Sequence, residues 1–149
     1  MAEHYEARVD VTSPIRVLQC SVVTPEAPVL DMPAEFVALP LYDGELGVLP
    51  GHSPFIGRLG YGELRVKADG RTVRLYVDGG FVQVAGPVVS VLTNNAIPAE
   101  KLSASVAAEH LASARARKAN SPELLVIRDR LEQQARAQLR MAQHVATAS

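Results

Sequence analysis

The chain has one cysteine and no tryptophan in 149 residues, and only 5% of its side chains are aromatic. A lone Cys20 can make no internal disulfide and has no second thiol with which to hold a metal, which points to a reducing compartment. No stretch approaches the ~18 consecutive apolar residues that a membrane span requires. The opening MAEHYEARVD carries acidic residues where a secretory leader needs a basic flank and an apolar run, so membrane association is expected to be indirect. Residues 100–149 contain no Phe, Tyr or Trp on which bases could stack, which argues against nucleic-acid binding despite their basic character.

What is present is an ordinary globular composition, 48% hydrophobic and 21% charged, with unequal halves. Residues 1–99 hold 7 Lys/Arg against 11 Asp/Glu, net −4, while residues 100–149 hold 8 against 5, net +3. That polarity suits an acidic partner at the C-terminal end.

The two halves also differ in periodicity. Between Ile15 and Thr93, short β-branched runs alternate with Gly, Pro and Asp, the pattern of an all-β sandwich or barrel. In GELRVKA-DG-RTVRLYV, Asp69-Gly70 has the composition of a type I′ hairpin turn. Leu64, Val66 and Ala68 then share one face with Val73, Leu75 and Val77, leaving Arg65, Lys67 and Arg74 on the other. IRVLQCSVV, AEFVALP, GGFVQVA and PVVSVLT are expected to supply further strands.

After Pro98 the composition becomes alanine-rich and helical. One helix is expected in AEKLSASVAAEHLASARARKA and a second in NSPELLVIRDRLEQQARAQLRMAQH, with Asn120 as cap, Glu123 as its box partner and Pro122 in the first turn. Leu124, Ile127, Leu131, Ala135 and Leu139 form one apolar stripe; Leu102, Val106 or Ala107, Leu111 and Ala114 form a thinner one. Joined by so few residues, the helices should lie antiparallel. Alanine seams bury little apolar area, so detachment of this hairpin should cost little.

The segment DGELGVLPGHSPFIG, Asp43 to Gly57, concentrates the chemistry-bearing residues. His52 and Ser53 are adjacent, but adjacency does not set a base against a nucleophile, and Pro54 removes the backbone N–H that a nucleophile elbow offers as oxyanion donor. Asp43 and Glu45 supply too few oxygens for a hard cation and suit a solvated turn or a polar protein contact. Gly57 to Gly62, GRLGYG, lacks the order of a phosphate-binding loop and opens onto a strand. Cys20, in phase with Leu18 and Val22, reads as a buried thiol, and His110 as a packing or edge residue on its helix. No catalytic residue, cofactor or metal is expected; the reading is a binding or coupling protein.

DGELGVLPGHSP, YVDGGFVQV (Tyr76 to Val84) and VLTNNAIPAEKL (Val91 to Leu102) resemble the epsilon subunit family of bacterial F-type ATP synthases, equivalent to mitochondrial delta. The resemblance runs from Val17 to about Gln143, and GELG-x-x-PGH-x-P is its most specific part. It implies an α+β protein: an N-terminal ten-stranded β-sandwich over 1–97 and a regulatory two-helix hairpin over 98–149. It implies a non-catalytic central-stalk subunit of a proton-translocating synthase, peripheral at the cytoplasmic face of the bacterial inner membrane. The sandwich would bind the gamma subunit and the c-ring, with Asp43, Glu45 and His52 at that interface.

By the same resemblance the hairpin would extend toward the alpha and beta subunits and restrain ATP hydrolysis. Arg115, Arg117, Lys118, Arg128, Arg130, Arg136 and Arg140 would be its contacts to beta. Some members bind ATP through an I/L-D-x-x-R-A motif; here Ser103 and Val106 stand at its acidic and basic positions, so weak or no ATP binding is expected even though Arg136 and Arg140 match second-helix arginines. Residues 1–14 exceed the signature. The alternative is an unrelated β-sandwich adaptor whose basic hairpin binds some other acidic protein.

Overall fold

The structure, a computed structural model, describes residues 17–148. The acidic opening and the residues beyond the family signature, 1–14, lie outside the described residues, as does the start of the first expected strand. Eight strands follow in order: β1 (Leu18–Val23), β2 (Pro28–Ala34), β3 (Phe36–Leu41), β4 (Gly44–Val48), β5 (Phe55–Ala68), β6 (Arg71–Ala85), β7 (Val88–Leu92) and β8 (Ala96–Pro98). A 3₁₀ turn at Ala99–Lys101 leads into α1 (Ala104–Arg115) and α2 (Pro122–Ala148). The expected break between 97 and 98 falls inside β8.

The strands hydrogen-bond in the order β2-β1-β7-β6-β5-β3-β4, with β8 added on β6. All neighbours are antiparallel except β1 and β7. Leu18, Cys20 and Val22 of β1 share one core with Val37, Leu39 and Val48 of β3 and β4, although four strand-to-strand steps separate β1 from β3. The sheet therefore folds back on itself as a two-layer sandwich, with alternating β-branched residues meeting inside it.

The Asp69-Gly70 turn forms as expected. Both residues have positive φ, 52° and 73°, and Ala68 pairs with Arg71. Among the described residues eight strands stand where ten were expected, and β5 and β6 are unbroken ribbons of 14 and 15 residues: RTVRLYV and GGFVQVA are one strand. Along each ribbon the inward face changes phase. In β5 it passes from Phe55 and Leu59 to Leu64 and Val66; in β6, from Val73, Leu75 and Val77 to Val82 and Val84. The change occurs at Gly60 and at Gly79-Gly80, where φ reaches 70° and 110°. A Cβ on Gly60 would lie 2.9 Å from the Leu41 carbonyl oxygen, and one on Gly80 would fall onto the Leu92 carbonyl and 2.8 Å from Thr93 Cα. The glycines let the ribbon turn over while its pairing register stays continuous.

β2 and β4 lie outside the expected strands. β2, PVLDMPA, is an edge strand, where Pro28 and Pro33 lack ladder donors and Asp31 is exposed. β4 takes up GELGV from the glycine-rich corner and forms the other end of the sheet path.

The α1 cap is Ser103, whose Oγ accepts from Val106 N–H at 3.3 Å. For α2 the expected cap Asn120 is corrected: Ser121 Oγ accepts from Leu124 N–H at 3.2 Å, because the residue directly before Pro122 is the one that can reach the first turn. Leu124 then occupies the third helical position, so Glu123 completes no capping box. The Arg115–Glu132 ion pair, 3.1 Å, joins the C-terminal end of α1 to the interior of α2. The α1 seam uses Ala107, Leu111 and Ala114 and leaves Val106 46% exposed. The α2 stripe holds except at its start: Ala135 is buried and Ile127, Leu131 and Leu139 are half-buried, while Leu124 is exposed; Ala137, Met141 and Ala142 are buried as well, because this helix faces both α1 and the sandwich.

Gly80→Ala should lower the unfolding free energy by at least about 2 kcal/mol in urea titration, since the methyl group meets backbone on a second strand and φ is left-handed. A change within about 0.5 kcal/mol, the range of neutral surface substitutions, would contradict this account of the crossing.

Candidate functional site: two outer faces of one ribbon

The phase change divides the outside of the β5–β6 ribbon into two surfaces. Beyond Gly60 and before Gly79, the outward residues are Tyr61, Glu63 and Arg65 on β5 and Arg74, Tyr76 and Asp78 on β6. The hairpin covers this half. Tyr76 is 1% exposed and packs with Ala99, Ala137 and Met141, flanked by Tyr61, Ile97 and Leu102. Gln134 Nε2 donates to Asp78 Oδ1 at 2.8 Å.

No described residue covers the other half. Ile56, Phe81 and Leu92 are 73%, 59% and 58% exposed, and Phe81 lies directly across from Leu92 on one side and Arg58 on the other. The Arg58 guanidinium sits 4.3 Å over the ring of exposed Tyr42. At the edge of this face a groove of about 760 Å³ runs past Tyr42, Arg58, Tyr61, Phe81, Leu92 and Asn94. Contiguous exposed apolar side chains beside a stacked Arg–Tyr pair have the composition of a protein-binding surface. Sequence reasoning missed this face. The available signal was an aromatic and two aliphatics at outward positions of strands whose inward positions were already filled.

The three residues expected at the rotor interface do not converge. Asp43 is exposed in the β3–β4 turn and Glu45 is exposed on β4, where it pairs with Arg65 at 3.6 Å. His52 follows the far end of β4, a strand about 13 Å long that begins beside Asp43. Its Nδ1 is 2.6 Å from the Ser53 carbonyl oxygen and its ring stands edge-on to Phe55 at 6.5 Å. A ring nitrogen engaged by the backbone is not set against the Ser53 hydroxyl, as the adjacency argument anticipated. Glu45 instead lines a groove with Arg65, Arg74, Glu63 and Arg140 between sandwich and hairpin.

The hairpin cations are likewise dispersed. Arg115 and Arg136 both bind Glu132, at 3.1 and 2.8 Å. Arg136 and Arg140, one turn apart, line a groove against Tyr42 and Tyr61. Arg117 lines the seam between the helices beside His110. Lys118 and Arg130 are exposed, and Arg128 is half-buried. Leu124, Leu125 and Val126 are exposed beside this basic tip.

Among the described residues, no group of three or more His, Cys, Asp or Glu could hold a metal, and no helix is long and apolar enough to cross a membrane. Cys20 is fully buried. Burial, with a smaller effect of the Asp31 charge, pushes its thiol from an ordinary 9.0 up to about 12. Burial also raises the Tyr76 hydroxyl, with the nearby Asp78 charge adding to it.

Residues 17–99 match the family model described as ATP synthase, Delta/Epsilon chain, beta-sandwich domain. The chain belongs to the ATP synthase delta/epsilon family. An ATP synthase epsilon chain of Rhodopirellula baltica is 50% identical over 123 residues, 83% of this chain and 96% of that one. That stretch is too long to fit within residues 1–99, so it reaches into the hairpin. A Synechococcus epsilon chain is 45% identical over 85 residues, 57% of this chain and 62% of its own. The fold matches a chain in the Euglena gracilis mitochondrial ATP synthase OSCP/F1/c-ring structure, with TM-score 0.77, 21% identity and coverage of 98% of this chain and 91% of that one. It also matches a chain of the Tetrahymena thermophila central stalk/c-ring structure, with TM-score 0.67, 10% identity and coverage of 84% and 96%. As an epsilon-type chain, it is a non-catalytic subunit of the synthase.

The raised values make alkaline stability fall. Both groups hold their protons more tightly when folded, so the stability each contributes is complete below its unfolded pKa and is lost as pH rises through the folded one. For Cys20 that window runs from about 9 to about 12; for Tyr76 it opens near 10.0. Urea midpoints measured from pH 8 to 11 should decline, and Tyr76→Phe should flatten the part of the decline above pH 10. A flat profile would contradict the burial of both groups.

Proposed function

We propose that this chain is a rotor component that ties the gamma subunit to the c-ring and couples ring rotation to ATP synthesis. The observation that carries the reading is the uncovered face of Ile56, Phe81 and Leu92 with the Arg58–Tyr42 pair at its edge. In a chain of this family, gamma is the partner that such a face suits: a broad apolar centre with a polar rim excludes water over a long contact. The sandwich is packed with β-branched residues to a density that deforms little under load, as a torque-bearing joint requires.

The two ends of β4 serve as ring-side contacts, Asp43 and Glu45 at one and the exposed Leu49 with His52 past the other, meeting the polar loops of the c subunits. The hairpin is docked here. Extended, it carries Arg115, Arg117, Lys118, Arg128, Arg130, Arg136 and Arg140 toward the acidic surfaces of the alpha and beta subunits and restrains hydrolysis. The net +3 of residues 100–149 supports that direction of attraction. The departures at Ser103 and Val106 favour regulation without ATP bound to the hairpin.

Phe81→Ala should weaken binding of purified gamma by about 10- to 100-fold in titration calorimetry, the range of a central aromatic anchor; affinity within twofold of the parent would overturn the assignment of this face. Truncation after Pro98 should leave gamma binding intact and raise ATP hydrolysis by the reconstituted complex. Unchanged hydrolysis would remove the restraining role.

A further inference from the structure

We infer that the hairpin is held on the sandwich by a polar clasp, with Gln134 and Gln138 of α2 gripping Asp78 and Tyr76 of β6, and that this clasp sets how often the hairpin is released. The inference rests on the proposed regulatory role of the hairpin only for its biological consequence; the clasp itself stands on the contacts.

Gln134 and Gln138 are one helical turn apart and share a face of α2. Tyr76 and Asp78 are two residues apart and share a face of β6. Gln134 Nε2 donates to Asp78 Oδ1 at 2.8 Å, and Tyr76 Oη donates to the same oxygen at 3.3 Å. Gln138 stands beside the Tyr76 hydroxyl, where its side chain offsets part of the rise that burial gives that group. The helix thus meets the strand at two adjacent points, and Gln134–Asp78 is the hydrogen bond that carries the clasp. Between the glutamines, Ala137 packs onto Tyr76 with Met141 and Ala99.

The apolar part of this contact is small. Of the α2 side chains in it, one is an alanine and one a methionine, and neither has a shape that selects one docking register over the next turn. The polar contacts do select: only the observed register sets a glutamine against both groups, since sliding α2 by one turn so that Gln138 meets Asp78 brings Ala142 to the Tyr76 hydroxyl, which then keeps Asp78 alone as its partner. Asp78 is itself fixed from behind. Its N–H donates to Thr93 Oγ1 at 3.0 Å and to the Asn95 carbonyl at 3.1 Å, and its carbonyl accepts from Asn94 Nδ2 at 3.2 Å. The carboxylate is therefore presented from a braced backbone, and the glutamines are the movable half.

Release is read by a thiol that the docked helix hides. Ala99 is 2% exposed and lies beneath α2. In the full-length Ala99→Cys chain, the rate at which the introduced thiol reacts with a soluble aromatic disulfide at pH 8 tracks the open fraction, however small, while buried Cys20 reports opening of the sandwich. Adding Gln134→Ala or Asp78→Ala to that chain should each speed labelling of the introduced thiol by about tenfold, the factor for one charge-assisted hydrogen bond lost. Combining them should give less than the product of the two. Gln134→Ala lies on the hairpin, so Cys20 labelling should stay at the parent rate in it.

Labelling of the introduced thiol within twofold of the parent in Gln134→Ala, or fully multiplicative effects in the double variant, would overturn the clasp. So would a parallel rise at Cys20 in Gln134→Ala, because the sandwich itself would then be opening. If the variants release the hairpin but hydrolysis by the assembled enzyme stays unchanged, the clasp stands and the restraining role of the hairpin fails.

Discussion

The architecture depends on one close approach of backbones. At Gly80 the β6 chain passes so near the Leu92 carbonyl that no side chain fits, and at Gly60 β5 passes similarly near Leu41. These two crossings let a 15-residue strand and its 14-residue partner turn their inner faces outward without losing register. With the interior phase exchanged, one ribbon serves both layers of the sandwich and exposes two different outer faces. A side chain at either crossing would separate strands that the core needs in contact.

From that constraint the difference between the two outer faces follows. One outer face carries Tyr61, Arg65, Arg74, Tyr76 and Asp78 and receives α2, a helix whose inner surface is mostly alanine and glutamine. The other carries Ile56, Phe81 and Leu92 and receives nothing from its own described residues. The first contact is polar and narrow, suited to being made and broken; the second is apolar and broad, suited to staying made. Asp78 and its neighbours Gly79 and Gly80 lie at the border, so the covered face and the bare face share one stretch of strand.

Much of this is legible in the sequence, and the failures have physical causes. The Asp69-Gly70 turn and the alternating faces around it depend on local rules of twist and period, so sequence alone reveals them. The same holds for the burial of Cys20. β2 escapes notice because prolines and an aspartate disguise an edge strand. The single long β6 reads as two strands because Gly79-Gly80 looks like an ending when only tertiary contact makes it a bend. Asn120 looks a better cap than Ser121 because a box partner stands at the right spacing from the wrong residue. The family motif points to Asp43, Glu45 and His52, yet the fold separates them along β4, and the apolar face carries no motif at all. An exposed Phe81 is visible only once the inward positions on both sides of it are known.

The central claim is that the bare half of the ribbon is the seat of the gamma subunit. It is tested most directly by placing a photoreactive benzoylphenylalanine at Ile56 in the full chain, assembling it into the intact synthase and identifying the subunit captured on illumination. The account predicts capture of gamma, blocked when unlabelled chain is supplied in excess. Capture of a catalytic subunit alone, or of none, would contradict it.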